Sequence, residues 1–172
     1  MKLVAIVIAF AAVQEKEREK AALYTDEARG FSIPIPKGWS VTTSEGQNCL
    51  SMAAPDDSKA NVTVSRMAPI ADLVSGKMTW DDLVKTLKAG LVKTFEDYEV
   101  TRKEEGACGA AKAMLLCAKF TASGAKTRNL QYLVADAAAF YVVTWTTPEK
   151  HWETQKDGFE ICSRAFTLAV KK

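Results

Sequence analysis

Alternating apolar positions divide much of the chain into short strands. Over residues 31–36, apolar side chains alternate with serine or proline, and a Pro-Lys-Gly turn then leads into a second run that begins at Trp39. Proline cannot donate a ladder hydrogen bond, so the first run is predicted to be an edge strand or a strand entry. Further short strands are predicted over 49–53 and 61–67. The first half of the chain therefore predicts a meander of antiparallel strands.

The clearest helical signal lies between residues 80 and 95. Apolar side chains recur there at helical spacing and form one stripe, which consists of Trp80, Leu83, Val84, Leu87, Leu91 and Phe95. Thr79 is a suitable N-cap, and Asp81 and Asp82 follow in the first turn, where the helix dipole favours acids. The stripe is interpreted as core packing rather than as part of a cofactor site.

The second half of the chain predicts four more strands and a closing helix. The strands are predicted over 98–103, 110–121, 127–135 and 139–146, with a turn at 104–106. The second and fourth of these are apolar on both faces, which indicates strands that are covered on both sides. A Thr-Pro-Glu start at 147–149 predicts a helix that runs to about residue 164. The order of elements predicts an α+β fold, an antiparallel sheet flanked by helices on both faces.

Composition and charge limit the possible classes of protein. The chain has 172 residues, which fits one domain, and 48% hydrophobic and 26% charged residues, which are ordinary globular values. Its formal net charge is +2. A charge so close to balance creates no strong field to attract nucleic acid or an anionic membrane. No nucleic-acid partner is therefore expected.

The first residues resemble a targeting segment. Residues 1–12 combine one lysine with an apolar run and small residues, which predicts a signal peptide and export to the periplasm or the exterior. The run is shorter than the roughly 20 residues that a membrane span needs, so no stable span is expected after cleavage. A buried first strand and an uncleaved anchor are the alternatives. Residues 13–28 are predicted to be a charged linker that could continue helically into 21–24, and residues 29–172 a single domain.

Three features together resemble a known superfamily. They are the G-F-S-I-x-x-P-x-G-W run at 30–39, the capped helix after an irregular loop, and the closing helix that ends in S-x-x-F at 163–166. They resemble the Mog/PsbP-like α/β/α sandwich, and within it the small exported bacterial proteins, including the DcrB-like envelope proteins. The resemblance covers about residues 29–168. It implies an accessory or binding protein without enzymatic activity, and it supplies no catalytic residues or cofactor to carry over.

The four cysteines are the disulfide candidates of an exported chain: Cys49, Cys108, Cys117 and Cys162. Cys108 and Cys117 lie at the start and in the middle of what is predicted to be one strand. They would be roughly 30 Å apart if that strand is extended, which excludes a Cys108–Cys117 disulfide. Of the two remaining pairings, Cys49–Cys108 with Cys117–Cys162 is favoured, because Cys117 is predicted to face a helix. Buried thiols are the alternative. No C-x-x-C pair is present, so no zinc site is expected.

The sequence offers little catalytic chemistry. His151 is the one histidine, and no G-x-S-x-G elbow accompanies it. The adjacent acids at 56–57, 81–82 and 104–105 point apart on regular elements and do not form a glycosidase pair. We therefore expect no enzyme, no catalytic or metal-binding residue and no cofactor.

Two functions remain. The first is a non-enzymatic exported accessory or binding protein of the cell envelope, which acts through contacts with a protein partner whose identity the sequence leaves open. The second is a carrier or sensor that holds a small apolar ligand between sheet and helix, because the chain is rich in large aromatic residues: Trp39, Trp80, Tyr132, Tyr141, Trp145 and Trp152. A ligand pocket would leave part of this set lining a cavity, whereas a partner site would leave an exposed apolar patch.

Overall fold

Two antiparallel sheets form the frame of the protein, in a computed structural model that describes residues 21–43, 49–55 and 58–169. The strands are β1 (Ala21–Asp26), β2 (Phe31–Pro36), β3 (Ser40–Thr43), β4 (Cys49–Ala53), β5 (Asn61–Met67), β6 (Glu96–Cys108), β7 (Ala111–Ala122), β8 (Ala125–Ala135), β9 (Phe140–Pro148) and β10 (Thr167–Leu168). The helices are α1 (Ala71–Ser75), α2 (Trp80–Leu91) and α3 (Trp152–Arg164), the last preceded by a 3-10 turn at Glu149–His151. The small sheet has the order β1-β2-β10 and the large sheet the order β3-β4-β5-β9-β8-β7-β6.

The large sheet is covered on both faces. On one face, α3 and the small sheet enclose the main core, in which Phe31, Trp145 and Phe159 are buried together. On the other face, α1 and α2 pack a second core around Leu73 and Trp80. Neighbouring residues of β7 divide between the two cores, as the alternation of a strand requires. The predicted α+β fold, an α/β/α sandwich with helices on both faces, is confirmed.

Helix α2 begins as its sequence predicts. Thr79 Oγ1 accepts a hydrogen bond from the Asp82 amide at 3.2 Å, and Asp82 Oδ2 accepts one from the Thr79 amide at 3.0 Å, which completes a capping box. The helix ends at Leu91, before the last residue of the predicted stripe. Phe95 instead packs on Phe120 of β7, with ring centroids 4.6 Å apart.

The predicted linker over 13–28 is wrong for residues 21–26, which form strand β1. This strand pairs with β2 along its whole length, from Ala21 opposite Pro36 to Asp26 opposite Phe31. Tyr24 packs against the main core and supplies the apolar contact that a linker would lack. The domain therefore begins before residue 29. The predicted signal peptide at 1–12 lies outside the described residues.

The predicted edge position of β2 is correct for only part of that strand. β2 is the central strand of the small sheet, but β10 pairs with it only at Phe31 and Ser32. From Ile33 onward, among the strands that the structure describes, β2 pairs with β1 alone. The two prolines at 34 and 36 lie in this half-edge portion, where fewer backbone donors are needed.

The predicted turn at 104–106 is also wrong, because β6 continues through it to Cys108. Each of the three residues has a partner on β7, and the hairpin turns instead at Gly109, whose φ is +60°. Charged residues are common on edge strands, where they discourage unwanted pairing, so the two acids do not break the strand. Cys108 and Cys117 consequently lie on different strands.

Four charged side chains fasten α3 to the edge strand β6. Arg102 donates to Glu160 at 2.7 Å and to Glu104 at 2.6 Å, and Arg164 donates to Glu104 at 2.7 Å and to Glu160 at 3.0 Å. Burial alone would raise the pKa of Glu160, but the hydrogen bonds from the two arginines outweigh burial and hold that pKa below its usual value. We call these residues the charged ring.

Candidate functional site

A cleft of about 450 Å³ lies at one end of the large sheet. The turn between β1 and β2, the turn between β8 and β9, and the end of β10 meet there. Its polar and apolar lining includes Glu27, Arg29, Arg66, Asp136, Tyr141 and Leu168. Because three separate parts of the chain form its walls, we take this cleft as the candidate functional site.

The turn between β1 and β2 forms one wall of the cleft and is held by its own ion pair. Asp26 is 6% exposed, and its carboxylate accepts hydrogen bonds from the Arg29 amide at 2.8 Å and from Arg29 Nη1 at 2.7 Å. The Gly30 amide donates to the Asp26 carbonyl at 2.8 Å. Gly30 has φ +76°, a conformation that residues with a side chain rarely adopt. The turn is therefore closely determined by its sequence.

This turn is also bonded to the rest of the protein. The Tyr141 hydroxyl of β9 donates to the Arg29 carbonyl at 2.9 Å, and the Ala169 amide donates to the Gly30 carbonyl at 2.9 Å. Arg29 Nη2 reaches the Cys49 carbonyl of β4 at 3.5 Å. The small sheet, the large sheet and the C-terminal strand thus hold the cleft in one shape.

Arg66 brings an unpaired charge into the cleft. It lies on β5 directly opposite Tyr141 of β9, so the two side chains share one face of the sheet. Arg66 is half-buried, and no hydrogen bond or ion pair joins it to another residue of the described chain. The other described arginines, Arg29, Arg102, Arg128 and Arg164, all form ion pairs with carboxylates.

The facing wall is the turn between β8 and β9. The Asp136 amide donates to the Ala139 carbonyl at 3.0 Å, and Asp136 Oδ2 accepts from the Ala138 amide at 3.0 Å. One oxygen of this carboxylate is therefore used by the turn itself. With Glu27 on the opposite side, the cleft holds two acids beside its two arginines. The cleft thus has as many negative as positive side chains, but Arg66 forms no hydrogen bond or ion pair with a carboxylate of the described chain.

A second cleft of about 320 Å³ lies near the start of β6. Its lining includes Glu99 and Lys119, which pair with each other at 2.8 Å, and Glu149, which pairs with Arg128 at 3.2 Å. Its two glutamates are already paired in this way, and the cleft is smaller than the first, so the first cleft is the better candidate.

The favoured Cys49–Cys108 disulfide is wrong. Cys49 lies on β4 and Cys108 on β6, which are five strand intervals apart in the large sheet, or about 24 Å. A disulfide needs α-carbons within about 7 Å. The structure contains no disulfide between the four cysteines. Cys108 is a buried thiol that lies 3.3 Å from the Phe166 carbonyl.

Cys117 and Cys162 both belong to the main core. Cys117 lies on the face of β7 that is directed toward α3, as predicted, and Cys162 is buried on α3. Burial raises the pKa of the Cys117 thiol. Their disulfide remains a prediction.

The aromatic residues that suggested a ligand pocket fill the cores. Trp145 is 0% exposed and stacks on Phe159 with ring centroids 4.9 Å apart. Trp39, which is half-buried, contacts both rings edge-on at 5.7 and 6.3 Å. Trp80, Tyr132, Tyr141 and Trp152 are also buried, and of the six predicted residues Tyr141 alone lines the cleft at the end of the sheet.

His151 lies at the end of the 3-10 turn, and no hydrogen bond joins its imidazole to a serine or cysteine within the described ranges. The described residues also contain no group of three or more histidines, cysteines or acids that could hold a metal ion.

The fold and this arrangement of layers define an α/β/α sandwich. Residues 19–168 match the PsbP family, so the chain belongs to that family. Among curated proteins no match is found. None of the helices in the described part of the chain is long and apolar enough to cross a membrane.

Solved structures are similar in fold. Cyanobacterial PsbP (CyanoP) from Synechocystis sp. PCC 6803 has a TM-score of 0.70 and 15% identity, over 87% of this chain and 92% of that one. PA94 from Pseudomonas aeruginosa, a protein of unknown function, has a TM-score of 0.59 and 16% identity, over 88% and 98%. LpqN of Mycobacterium tuberculosis, involved in cell envelope biogenesis, has a TM-score of 0.57 and 14% identity, over 87% and 91%. At these identities the likeness concerns the fold alone.

Proposed function

We propose that this protein is a non-enzymatic accessory protein of the cell envelope that acts by binding another protein. The observation that carries the proposal is the contrast between its interior and its cleft. The interior is filled by its own aromatic rings, whereas the cleft has a mixed polar and apolar lining, opens to solvent and contains Arg66, which forms no ion pair within the described chain. Charged and polar groups at a surface cleft favour recognition of another polar surface.

Membership of the PsbP family supports this function, as does the similarity to LpqN, which is involved in cell envelope biogenesis. The apolar run at 1–12 supports export to the periplasm or the exterior. The position of His151, without a hydrogen-bonded nucleophile among the described residues, supports a role without catalysis.

The carrier function has weaker support. A carrier would need apolar rings that line a cavity, but Trp39, Trp145 and Phe159 contact one another instead. The cleft at the end of the sheet is lined by four charged residues, which is poor chemistry for an apolar ligand.

Native mass spectrometry of the protein, purified gently from the envelope of the cells that produce it, tests the proposal. We expect a complex of fixed stoichiometry with a second protein. A monomer that carries an added small apolar molecule would instead establish the carrier function and overturn the proposal.

A further inference from the structure

We propose that the cleft at the end of the large sheet binds a carboxylate, supplied by an acidic side chain or by the C-terminus of the partner protein. The inference rests on the proposed function, because it names the chemical group that the cleft would recognise. It is carried by Arg66, a half-buried residue that lines the cleft and makes no contact with a carboxylate of the described chain.

The partial burial of Arg66 favours an anion as its partner. Removing a guanidinium partly from water costs free energy that a bound carboxylate would restore. The other described arginines meet that requirement with internal ion pairs, at N···O distances of 2.6–3.2 Å. The Arg29 guanidinium is engaged by Asp26 and the Cys49 carbonyl, so it shapes the wall and leaves Arg66 as the available cation.

The charge balance of the cleft selects among anions. Glu27 and Asp136 lie on its walls, and each would repel a bound anion in proportion to its charge. A carboxylate carries one negative charge, whereas phosphate carries between one and two at neutral pH. A carboxylate also fits the planar guanidinium through two parallel hydrogen bonds. The cleft therefore favours a carboxylate over a phosphate.

The walls of the cleft are already in place for such a ligand. The Asp26–Arg29 ion pair and the bond from the Tyr141 hydroxyl to the Arg29 carbonyl hold the turn between β1 and β2. Binding would therefore restrict mainly the side chain of Arg66. Little other conformational freedom would be lost, which favours recognition of a small group.

Nuclear magnetic resonance of the full chain tests the proposal with acetate, phosphate and chloride as probes, each added at constant ionic strength. We expect acetate to shift the Arg66 side-chain Nε–Hε signal and the Gly30 and Ala138 amide signals in a saturable way, with the millimolar affinity of so small a ligand. Phosphate should bind more weakly, and chloride should give no saturable shift. Acetate shifts that do not saturate, or phosphate binding tighter than acetate, would overturn the proposal.

Variants assign the effect to Arg66. Arg66→Gln should weaken acetate binding about tenfold or more, because it removes a charge-assisted pair, and Arg66→Lys should recover only part of the affinity. Arg128→Gln is the control, because it removes the same charge from β8 far from the cleft. Arg128 lies seven residues, or about 24 Å, from Ala135, where β8 ends beside the cleft. This variant should leave the acetate titration unchanged. Equal loss in Arg66→Gln and Arg128→Gln would contradict a specific site.

Two short peptides identify the source of the carboxylate. One is blocked at both ends and carries a single glutamate, and the other is acetylated and carries only its C-terminal carboxylate. Tighter binding of either one supports the proposal and names the source, whereas binding of neither overturns it. These titrations measure the cleft alone, so they can fail while a complex with a partner protein is still observed.

Discussion

Truncation of Phe159 separates a filled core from a ligand cavity. Phe159 is 2% exposed, stacks on Trp145 at 4.9 Å and contacts Trp39 at 6.3 Å. It therefore holds α3 against the large sheet. Replacement of a buried phenylalanine by alanine costs about 3–5 kcal/mol, and each lost aromatic pair contributes about 0.5–1.5 kcal/mol beyond buried area. We expect Phe159→Ala to lower the free energy of unfolding by about 4 kcal/mol.

Denaturant and thermal unfolding of the purified protein measure this loss. For a domain of this size, 1 kcal/mol corresponds to a change of about 2–4 °C in Tm, so Tm should fall by roughly 8–16 °C. Leu23→Ala is the matched apolar control, because Leu23 is 70% exposed on β1, and it should change stability by less than about 0.5 kcal/mol.

The reasoning fails if Phe159→Ala costs less than about 1 kcal/mol in the purified, ligand-free protein. Such a result would mean that the ring contributes little to packing, as expected of a side chain that lines a ligand site. It would restore the carrier function and remove the main support for the proposed one.

Three further predictions concern the helix start, the charged ring and the core thiols. Thr79→Ala removes one half of the capping box and should lower the free energy of unfolding by about 1 kcal/mol, measured in urea, whereas an unchanged midpoint would contradict the role of the cap. The pKa of Glu160 is lowered in the folded state, so its stabilisation is present above the unfolded pKa of about 4.3 and is lost as pH falls through the folded value. Glu160→Gln should therefore flatten the fall in Tm between about pH 5 and pH 3, and parallel curves would speak against the ring. In protein isolated from the envelope and alkylated in denaturant without reductant, a Cys117–Cys162 disulfide should leave those two cysteines unalkylated, and later reduction should add the mass of two hydrogens. A chain with four alkylated thiols would contradict that bond.

The elements with strong periodicity could be predicted from the sequence. Helix α2 follows from one apolar stripe and a cap, both of which are local. Strand β1 was missed because only Tyr24 contacts the core, while Leu23 points to solvent, so the segment lacks a clear apolar face. The continuation of β6 through Glu104 does not follow from local pattern, because the groups that hold Glu104 in the strand are distant in sequence: Leu115 of β7 lies opposite it in the sheet, and Arg164 of α3 pairs with its carboxylate.

The cleft and the cysteine positions depend on long-range topology. The Cys49–Cys108 pairing fails only because four strands lie between β4 and β6, an order that hairpin patterns alone do not determine. Arg66 enters the cleft because β5 pairs with β9 in the register that places it opposite Tyr141, far along the chain. The one local signal was the turn, where an aspartate precedes Arg29 and a glycine follows it.

Site-specific photo-crosslinking in the cells that produce the protein tests its central claim, contact with another protein through the cleft. Ala138 is exposed and lines the cleft, so a photoreactive phenylalanine analogue can replace it without disturbing the core. Ala125, exposed at the opposite end of β8, is the control position. We predict a discrete protein adduct from position 138 and none from position 125. Absence of a protein adduct at 138, or equal adducts at both positions, would contradict the account.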